Sequence, residues 1–192
     1  MLARETVELL IQAARMADTT RLTSDLRPAE WMALRYFARA NNQSRTASAL
    51  ADFEAHSRAA VSHIIGRLEH GGYLTRRQSQ EDGRSFGLEV TAKGQTALLH
   101  DPIGNLVRTV RSLPDQDRDA LHDALREVLT GLANSGTRRQ FDICRDCAHL
   151  TGHSVDSGLD EAGSPFWCNL FHVAVEAEAT KLLCARFLPK TR

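Results

Sequence analysis

Apolar residues recur at helical spacing through the first 70 residues, with short polar breaks between the runs. This spacing predicts amphipathic helices. Four are predicted: over 3–22, from Pro28 to about Asn41, from about Thr46 to Phe53, and from Ser57 to about His70. Proline is tolerated in a first helical turn, and the pair Gly71-Gly72 ends the fourth helix.

The pattern becomes strand-like after residue 72. Residues 73–77 and 86–90 are short strand candidates on either side of the polar, turn-rich stretch 78–85, which predicts a β-hairpin. Thr91 then caps a predicted helix that bends near Pro102 and runs on to Ser112. A last strongly apolar stripe follows Pro114 and ends at Leu132, before a linker predicted at 133–137.

The fourth helix has the two faces that a DNA-reading helix needs. Its apolar positions are predicted to be buried: Val61, Ile64, Ile65 and Leu68. The opposite side carries small or hydrogen-bonding groups, with an arginine on either flank: Ala59, Ser62, His63, Gly66 and His70, flanked by Arg58 and Arg67. Such a side fits the major groove, and Ser57 can cap the helix and help it receive a phosphate. An ordinary solvent-exposed face has the same composition.

The hairpin carries a second candidate contact with DNA. Arg76 and Arg77 lie on its first strand, and Arg84 lies at its tip with Asp82 close enough to orient it. Arginines placed in this way bind the minor groove and the phosphates. A solvated charged turn is the alternative, but two short helices followed by a basic hairpin form the order of a winged helix-turn-helix. The predicted DNA-binding residues are Ser57, Arg58, Ala59, Ser62, His63, Arg67, Arg76, Arg77, Asp82 and Arg84.

Composition narrows the function classes. The chain has 192 residues, a hydrophobic fraction of 42% and a formal net charge of zero, which argues against indiscriminate coating of nucleic acid but leaves a local basic surface open. No P-loop, nucleotide-binding glycine pattern or zinc-hydrolase motif is present, so we expect no enzyme. No apolar run approaches about 20 residues and the first 16 residues lack a secretory signature, so we expect a cytoplasmic protein.

The stretch from Leu50 to Leu98 resembles the multiple-antibiotic-resistance regulator (MarR) family. The resemblance rests on the serine-rich helix start at 57–62, the exit Leu68-Glu69-His70-Gly71-Gly72, the wing Asp82-Gly83-Arg84 and the helix start Thr91-Ala92-Lys93-Gly94. It is strong over about 28–100 and looser over 1–135. Gly83-Arg84 departs from the basic pair that is more usual in the family, which reduces the number of wing arginines.

The resemblance implies a mainly α fold with a small β-hairpin wing, dimerised through its N- and C-terminal helices. A homodimer would bind an inverted-repeat operator in double-stranded DNA, as a repressor more often than an activator, with a small-molecule effector in the cleft below the DNA-binding lobe. The apolar stripes at 7–17 and 103–132 fit dimerisation, and packing within one chain is the alternative. The expected domains are 1–135, with the DNA-binding lobe at about 28–100, and a cysteine-rich module at 138–192.

All four cysteines lie in the last quarter of the chain, beyond the family pattern. They are Cys144 and Cys147, in a Cys-x-x-Cys pair, followed by Cys168 and Cys184. Without an export signal, this usage indicates metal or redox chemistry rather than structural disulfides. A final helix is predicted near 173–187 and carries Cys184.

Four thiolates suit an iron–sulfur cluster or a zinc ion. The aromatic surroundings of Cys168 and the lack of a second Cys-x-x-Cys pair favour the cluster slightly. A thiol switch and buried unliganded cysteines are alternatives, and His149, His153 and His172 are spare ligands. We expect a DNA-binding regulator in which metal occupancy or thiol state shifts the dimerisation helices. The alternatives are the same regulator with a structural zinc, or a redox module that docks a protein partner.

Overall fold

The computed structural model describes residues 1–17, 25–78, 86–136, 140–152 and 166–190. The helices in these ranges are α1 (Leu2–Ala17), α2 (Pro28–Arg39), α3 (Ala47–Glu54), α4 (Arg58–His70), α5 (Ala92–Leu98), α6 (Gly104–Arg111) and α7 (Asp115–Ser135). The strands are β1 (Leu74–Gln78), β2 (Phe86–Val90), β3 (Asp142–Ile143), β4 (Leu150–Gly152), β5 (Phe166–Cys168), β6 (Val173–Val175) and β7 (Leu183–Cys184). The mainly α fold class with small antiparallel sheets is confirmed.

Hydroxyl caps set the starts of three helices where the sequence predicted them. Thr46 accepts a hydrogen bond from the Ala49 N–H at 3.2 Å, and Ser57 accepts one from Ala60 at 3.2 Å. Thr91 caps α5 in the same way. Each cap satisfies a backbone donor that a helix N-terminus leaves without an intrahelical partner. The positions of α3, α4 and α5 therefore follow directly from local sequence.

One hydrophobic core holds the helix-turn-helix and the hairpin together. Its most deeply buried side chains come from all three helices of the motif and from both hairpin strands, among them Leu34, Phe37, Leu50, Val61, Ile65, Leu68, Leu74 and Leu88. The predicted apolar face of α4 is thus buried, with Ile64 at its partly buried edge. Removing one of these large side chains would cost about 2–5 kcal/mol.

The hairpin pairs β1 with β2 in antiparallel register, from Leu74 opposite Val90 to Gln78 opposite Phe86. Its predicted tip at 79–85 lies outside the described residues. At the base of the hairpin, a Cβ on Gly94 would lie 2.5 Å from the Tyr73 carbonyl oxygen. Only glycine therefore fits the first turn of α5 against the hairpin, which explains the Thr-x-x-Gly start.

The connection from the wing to α7 bends as predicted. Helix α5 ends at Leu98 and α6 begins at Gly104, with Asp101 between them bound to Arg35 of α2 through two hydrogen bonds of 2.7 and 2.6 Å. The predicted linker at 133–137 is wrong in its first half, because α7 continues to Ser135. The alanines and leucines of α7 have high helix propensity, so the helix continues until it reaches Gly136.

The final helix predicted near 173–187 is wrong, and Cys184 does not lie on a helix. Residues 173–175 instead form β6 in a three-stranded sheet with β5 and β4, and Leu183-Cys184 form β7, which pairs with β3. The Ala-, Glu- and Leu-rich composition favours a helix locally. Pairing with β5 and β3, which lie elsewhere in the chain, overrides that weak local preference.

Of the helices in the described ranges, none combines the length and apolar character that crossing a bilayer requires.

Glu54, at the end of α3, is a buried carboxylate that the fold does not satisfy. Its side chain is 5% exposed, its Oε1 has no hydrogen-bond partner among the described residues, and its Oε2 lies 3.6 Å from Nε2 of the His56 ring. Burial raises the pKa of Glu54 from 4.5 to about 7. Because the folded pKa is above the unfolded one, the native state holds the proton more tightly, and this group makes the fold less stable as pH rises from about 4.5 through 7.

We therefore expect Glu54→Gln to raise the free energy of unfolding by about 1–3 kcal/mol at pH 8 and by much less at pH 5. Denaturant unfolding at the two pH values measures the difference. The control Glu178→Gln, at an exposed position, should show little dependence on pH. An equal gain at both pH values for Glu54→Gln would contradict the pKa shift.

Candidate nucleic-acid interface and cysteine cluster

Helix α4 presents one polar face to solvent while its other face is held in the core. Val61, Ile65 and Leu68 are at most 2% exposed, which fixes the rotation of the helix about its axis. All the predicted α4 contacts lie on the exposed side: Ser57, Arg58, Ala59, Ser62, His63 and Arg67. The structure therefore brings these six positions onto one surface.

The N-terminal half of this surface is free to bind. Arg58, Ser62 and His63 are exposed and have no side-chain partner among the described residues. No Cβ contact would form at Gly66, so the middle of the face is open. Small side chains between longer polar ones leave space for base edges to approach.

Arg67 differs from these residues because it is already engaged. Its Nε donates to Oε1 of Glu30, a residue of α2 that is 3% exposed. The other Glu30 oxygen accepts from the Arg27 N–H at 2.8 Å and so caps α2. Glu30 thus fixes α4 against the start of α2. No sequence signal could have shown this pairing, because the two residues are 37 positions apart.

The two strand arginines of the wing are exposed but ion-paired. Arg76 binds both oxygens of Glu69, at 2.8 and 3.2 Å, and this hydrogen bonding raises the pKa of Arg76. Arg77 lies 3.4 Å from Glu89 across the hairpin. Asp82 and Arg84 lie outside the described residues, so their pairing stays a prediction.

Three helices lack a packed interior face. Helices α1, α6 and α7 contain no buried residue, although each is amphipathic. Their exposed apolar side chains include Val7, Leu9, Ile11, Val107, Leu121, Val128, Leu129 and Leu132. A single chain leaves this area in water, which is unusual for a folded protein.

The four cysteines lie around one cavity. The cavity measures about 160 Å³, and Cys144, Cys147, Cys168 and Cys184 all line it. Cys147 and Cys184 are buried, whereas Cys144 and Cys168 are partly exposed, and all four are free thiols. Residues separated by up to 40 positions are thus brought to one place.

Hydrogen-bond donors point at three of the sulfurs. The Asn41 side-chain amide donates to Cys144 Sγ at 3.3 Å, the Arg186 N–H donates to Cys184 Sγ at 3.4 Å, and the Leu188 N–H donates to Cys147 Sγ at 3.5 Å. A hydrogen bond between Cys144 and Cys184 lowers the pKa of Cys184 to about 6 and raises that of Cys144. One thiolate therefore forms readily, held by its partner thiol.

Of the two spare histidines that the structure describes, His149 lines the cavity and His172 does not. His172 is exposed in a left-handed turn with φ of 54°, and His153 lies outside the described residues. Among the described side chains, no group of three or more His, Cys, Asp or Glu has the arrangement of a metal site. The cysteine cluster is therefore a gathered set of thiols rather than a preformed cage.

Sequence reasoning missed the residues that join this cluster to the helix-turn-helix. The turn between α2 and α3, residues 40–45, is bound to β7: the Asn41 N–H donates to the Leu183 carbonyl at 2.8 Å, and the Ala185 N–H donates to Ser44 Oγ at 2.8 Å. Asn41 is 7% exposed, and its Oδ1 has no partner among the described residues. A buried asparagine cannot be recognised from the sequence alone.

A second contact joins the cluster to α7. Arg126 binds Asp142 at 2.8 Å and Asp146 at 2.7 Å, and Thr130 donates to Gln140 at 3.1 Å. The segment 140–147 therefore bridges α7 and the α2–α3 turn.

Part of this chain is similar to a known protein family. Residues 24–85 match a family model described as MarR family. No curated protein sequence matches the chain.

Three solved structures share the fold. A MarR/EmrR family transcriptional regulator from Acinetobacter sp. ADP1 has 17% identity and a TM-score of 0.53, over 69% of this chain and 95% of its own. The transcriptional regulator BldR from Sulfolobus solfataricus has 19% identity and a TM-score of 0.51, over 68% and 94%. A MarR family protein from Bacillus stearothermophilus has 12% identity and a TM-score of 0.51, over 68% and 91%.

Proposed function

We propose that the chain, whose residues 24–85 match a family model described as MarR family, regulates transcription by binding an inverted repeat in duplex DNA as a homodimer. The observation that carries the proposal is the exposed polar face of α4, whose N-terminal half has free hydrogen-bonding groups. Repression follows if the bound dimer excludes other proteins from a promoter.

Helix α4 enters the major groove, which is about 12 Å wide and accepts one helix. The N-terminal end of α4 points into the groove, so Arg58, Ser62 and His63 contact base edges. Arg58 is the group best suited to bind the two acceptors of a guanine. The backbone N–H groups at the start of α4, with Ser57, face a phosphate and are favoured there by the helix dipole.

The two ion-paired arginines of the wing orient the protein on DNA more than they raise its affinity for DNA. Arg76 and Arg77 are 59% and 73% exposed, so their remaining N–H groups can donate to phosphate oxygens. Each of these arginines is paired with a glutamate and so adds less net positive charge than a free arginine. The salt dependence of DNA binding is therefore weaker than two free arginines would give. Arg67 fixes the angle of α4 through Glu30. Contact of Arg84 and Asp82 with the minor groove stays a prediction from the sequence, because both residues lie outside the described ranges.

Dimerisation covers the apolar faces that one chain leaves exposed. The exposed leucines and valines of α1 and α7 lie at helical spacing, so each helix offers a continuous stripe to a second copy. A symmetric pair then sets two α4 helices about one DNA turn apart, which is the spacing of an inverted repeat.

We expect Arg58→Ala and Ser62→Ala each to weaken binding to a selected operator by about 5- to 100-fold, since one good base contact is worth about 1–3 kcal/mol. Fluorescence anisotropy on a duplex enriched from random sequence by the wild-type protein measures the loss. Arg118→Ala, at a salt-bridged arginine of α7, is the matched control and should bind as the wild type does. If both α4 variants retain full affinity, α4 is not the reading helix.

We expect Leu132→Glu on α7 to convert the dimer to a monomer, because a charge would be buried in an apolar interface. Leu132 is 63% exposed in one chain, so the substitution leaves its core intact. Sedimentation gives the oligomeric state, and circular dichroism confirms that the helices persist. Asp119→Ala, an exposed polar position of the same helix, should remain dimeric. A monomeric wild-type chain would refute the dimer.

A further inference from the structure

The cysteine cluster is a second candidate site, separate from the exposed face of α4. We propose that Cys144, Cys147, Cys168 and Cys184 together bind one Zn²⁺ ion, and that this ion holds the α2–α3 turn in place through Asn41. The part concerning the turn rests on the proposed DNA-binding function, and the part concerning the ion does not.

The backbone around the cysteines has the short turns and strands of a zinc module. Cys144 and Cys147 lie at the two ends of one tight turn, closed by a hydrogen bond of 2.9 Å from the Cys147 N–H to the Cys144 carbonyl. Cys168 ends β5, and Cys184 ends β7. The predicted helix carrying Cys184 is replaced by this short strand.

The cavity gathers enough thiols for one ion. Cys144, Cys147, Cys168 and Cys184 all line the same space of about 160 Å³. Four thiolates at Zn–S distances of about 2.3 Å complete the tetrahedral shell of a structural zinc site. A four-iron cluster uses the same number of thiolates, and the metal content of the protein separates the two.

The N–H donors complete the environment. The amide of Asn41 and the N–H groups of Arg186 and Leu188 each point at a ligand sulfur. Donors of this kind stabilise negative charge on sulfur, as outer partners do around metal ligands. Four thiolates around a divalent ion carry an excess of two negative charges, which these donors offset.

A bound metal ion would stabilise the tail, whose hydrophobic core is small. The buried apolar cluster of the tail consists of Cys147, Cys184 and Phe187, and Cys144 and Phe171 pack against it. Leu183 of β7 is also buried. The strands of the tail have only two or three residues. Segments of this size usually depend on a metal or disulfides for their stability.

The described side chains include no preformed group of three metal ligands. Binding would therefore require the sulfurs to close around the ion. Closure would act on Asn41, since its side chain contacts Cys144 and its backbone contacts Leu183. Zinc binding and the conformation of the α2–α3 turn are therefore linked.

The ion is tested on the full chain without DNA. Elemental analysis of protein purified without oxygen should give one zinc per chain and a colourless solution. Cobalt substitution should give the intense sulfur-to-cobalt absorption of a thiolate site. Cys147→Ser and Cys168→Ser should each lower zinc affinity at least 100-fold, and His149→Ala should retain it. Iron with visible absorption, a metal-free chain, or loss of zinc in His149→Ala would each overturn the four-cysteine zinc site.

The link to the turn is tested with Asn41→Ala and Asn42→Ala. Asn42 is exposed and has no side-chain hydrogen bond among the described residues, so it is the matched control. Asn41→Ala should lower zinc affinity about tenfold, and Asn42→Ala should not. Zinc removal should weaken operator binding at least tenfold in the wild type. Equal zinc affinities in the two variants, or operator binding unaffected by zinc, would overturn the link while leaving both the ion and the DNA-binding proposal standing.

Discussion

The turn between α2 and α3 is the constraint on which the rest of the structure depends. Residues 40–45 are largely buried, and buried backbone groups must find hydrogen-bond partners. The partners come from three parts of the chain. Tyr36 donates its hydroxyl to the Ser44 carbonyl, and the Leu88 N–H of the wing donates to the Arg45 carbonyl. The tail supplies Leu183 of β7 and Ala185, which follows that strand. The C-terminal tail is therefore packed directly against the helix-turn-helix.

Local sequence was sufficient to predict the helix-turn-helix and the wing. Ser57 and Thr91 are caps, Gly94 is required by a close approach to Tyr73, and the apolar positions of α4 recur at helical spacing. Each of these signals acts within a few residues, so its structural outcome can be read without knowing the rest of the chain. The surface that α4 presents followed from the burial of its other side.

The tail and the ion pairs could not be predicted because long-range partners decide them. Residues 173–187 have a helix-favouring composition, yet β6 forms on β5, and β7 forms on β3. The engagement of Arg67 by Glu30 depends on two helices meeting, and the sequence showed Arg67 only as a charge on an exposed face. The gathering of four cysteines was anticipated, whereas the contact of Asn41 with Cys144 was not.

The segment 140–147 relates the two halves of the proposed regulator. On one side Arg126 of α7 holds Asp142 and Asp146, and on the other Cys144 accepts from Asn41. Helix α7 belongs to the proposed dimer interface, and the α2–α3 turn is separated by α3 from α4, the proposed reading helix. An ion bound at Cys144 and Cys147 would stiffen this bridge. In the proposed dimer, half-site spacing depends on how each α4 is held relative to the dimer helices, so a stiffer bridge would limit the operators that such a dimer can fit.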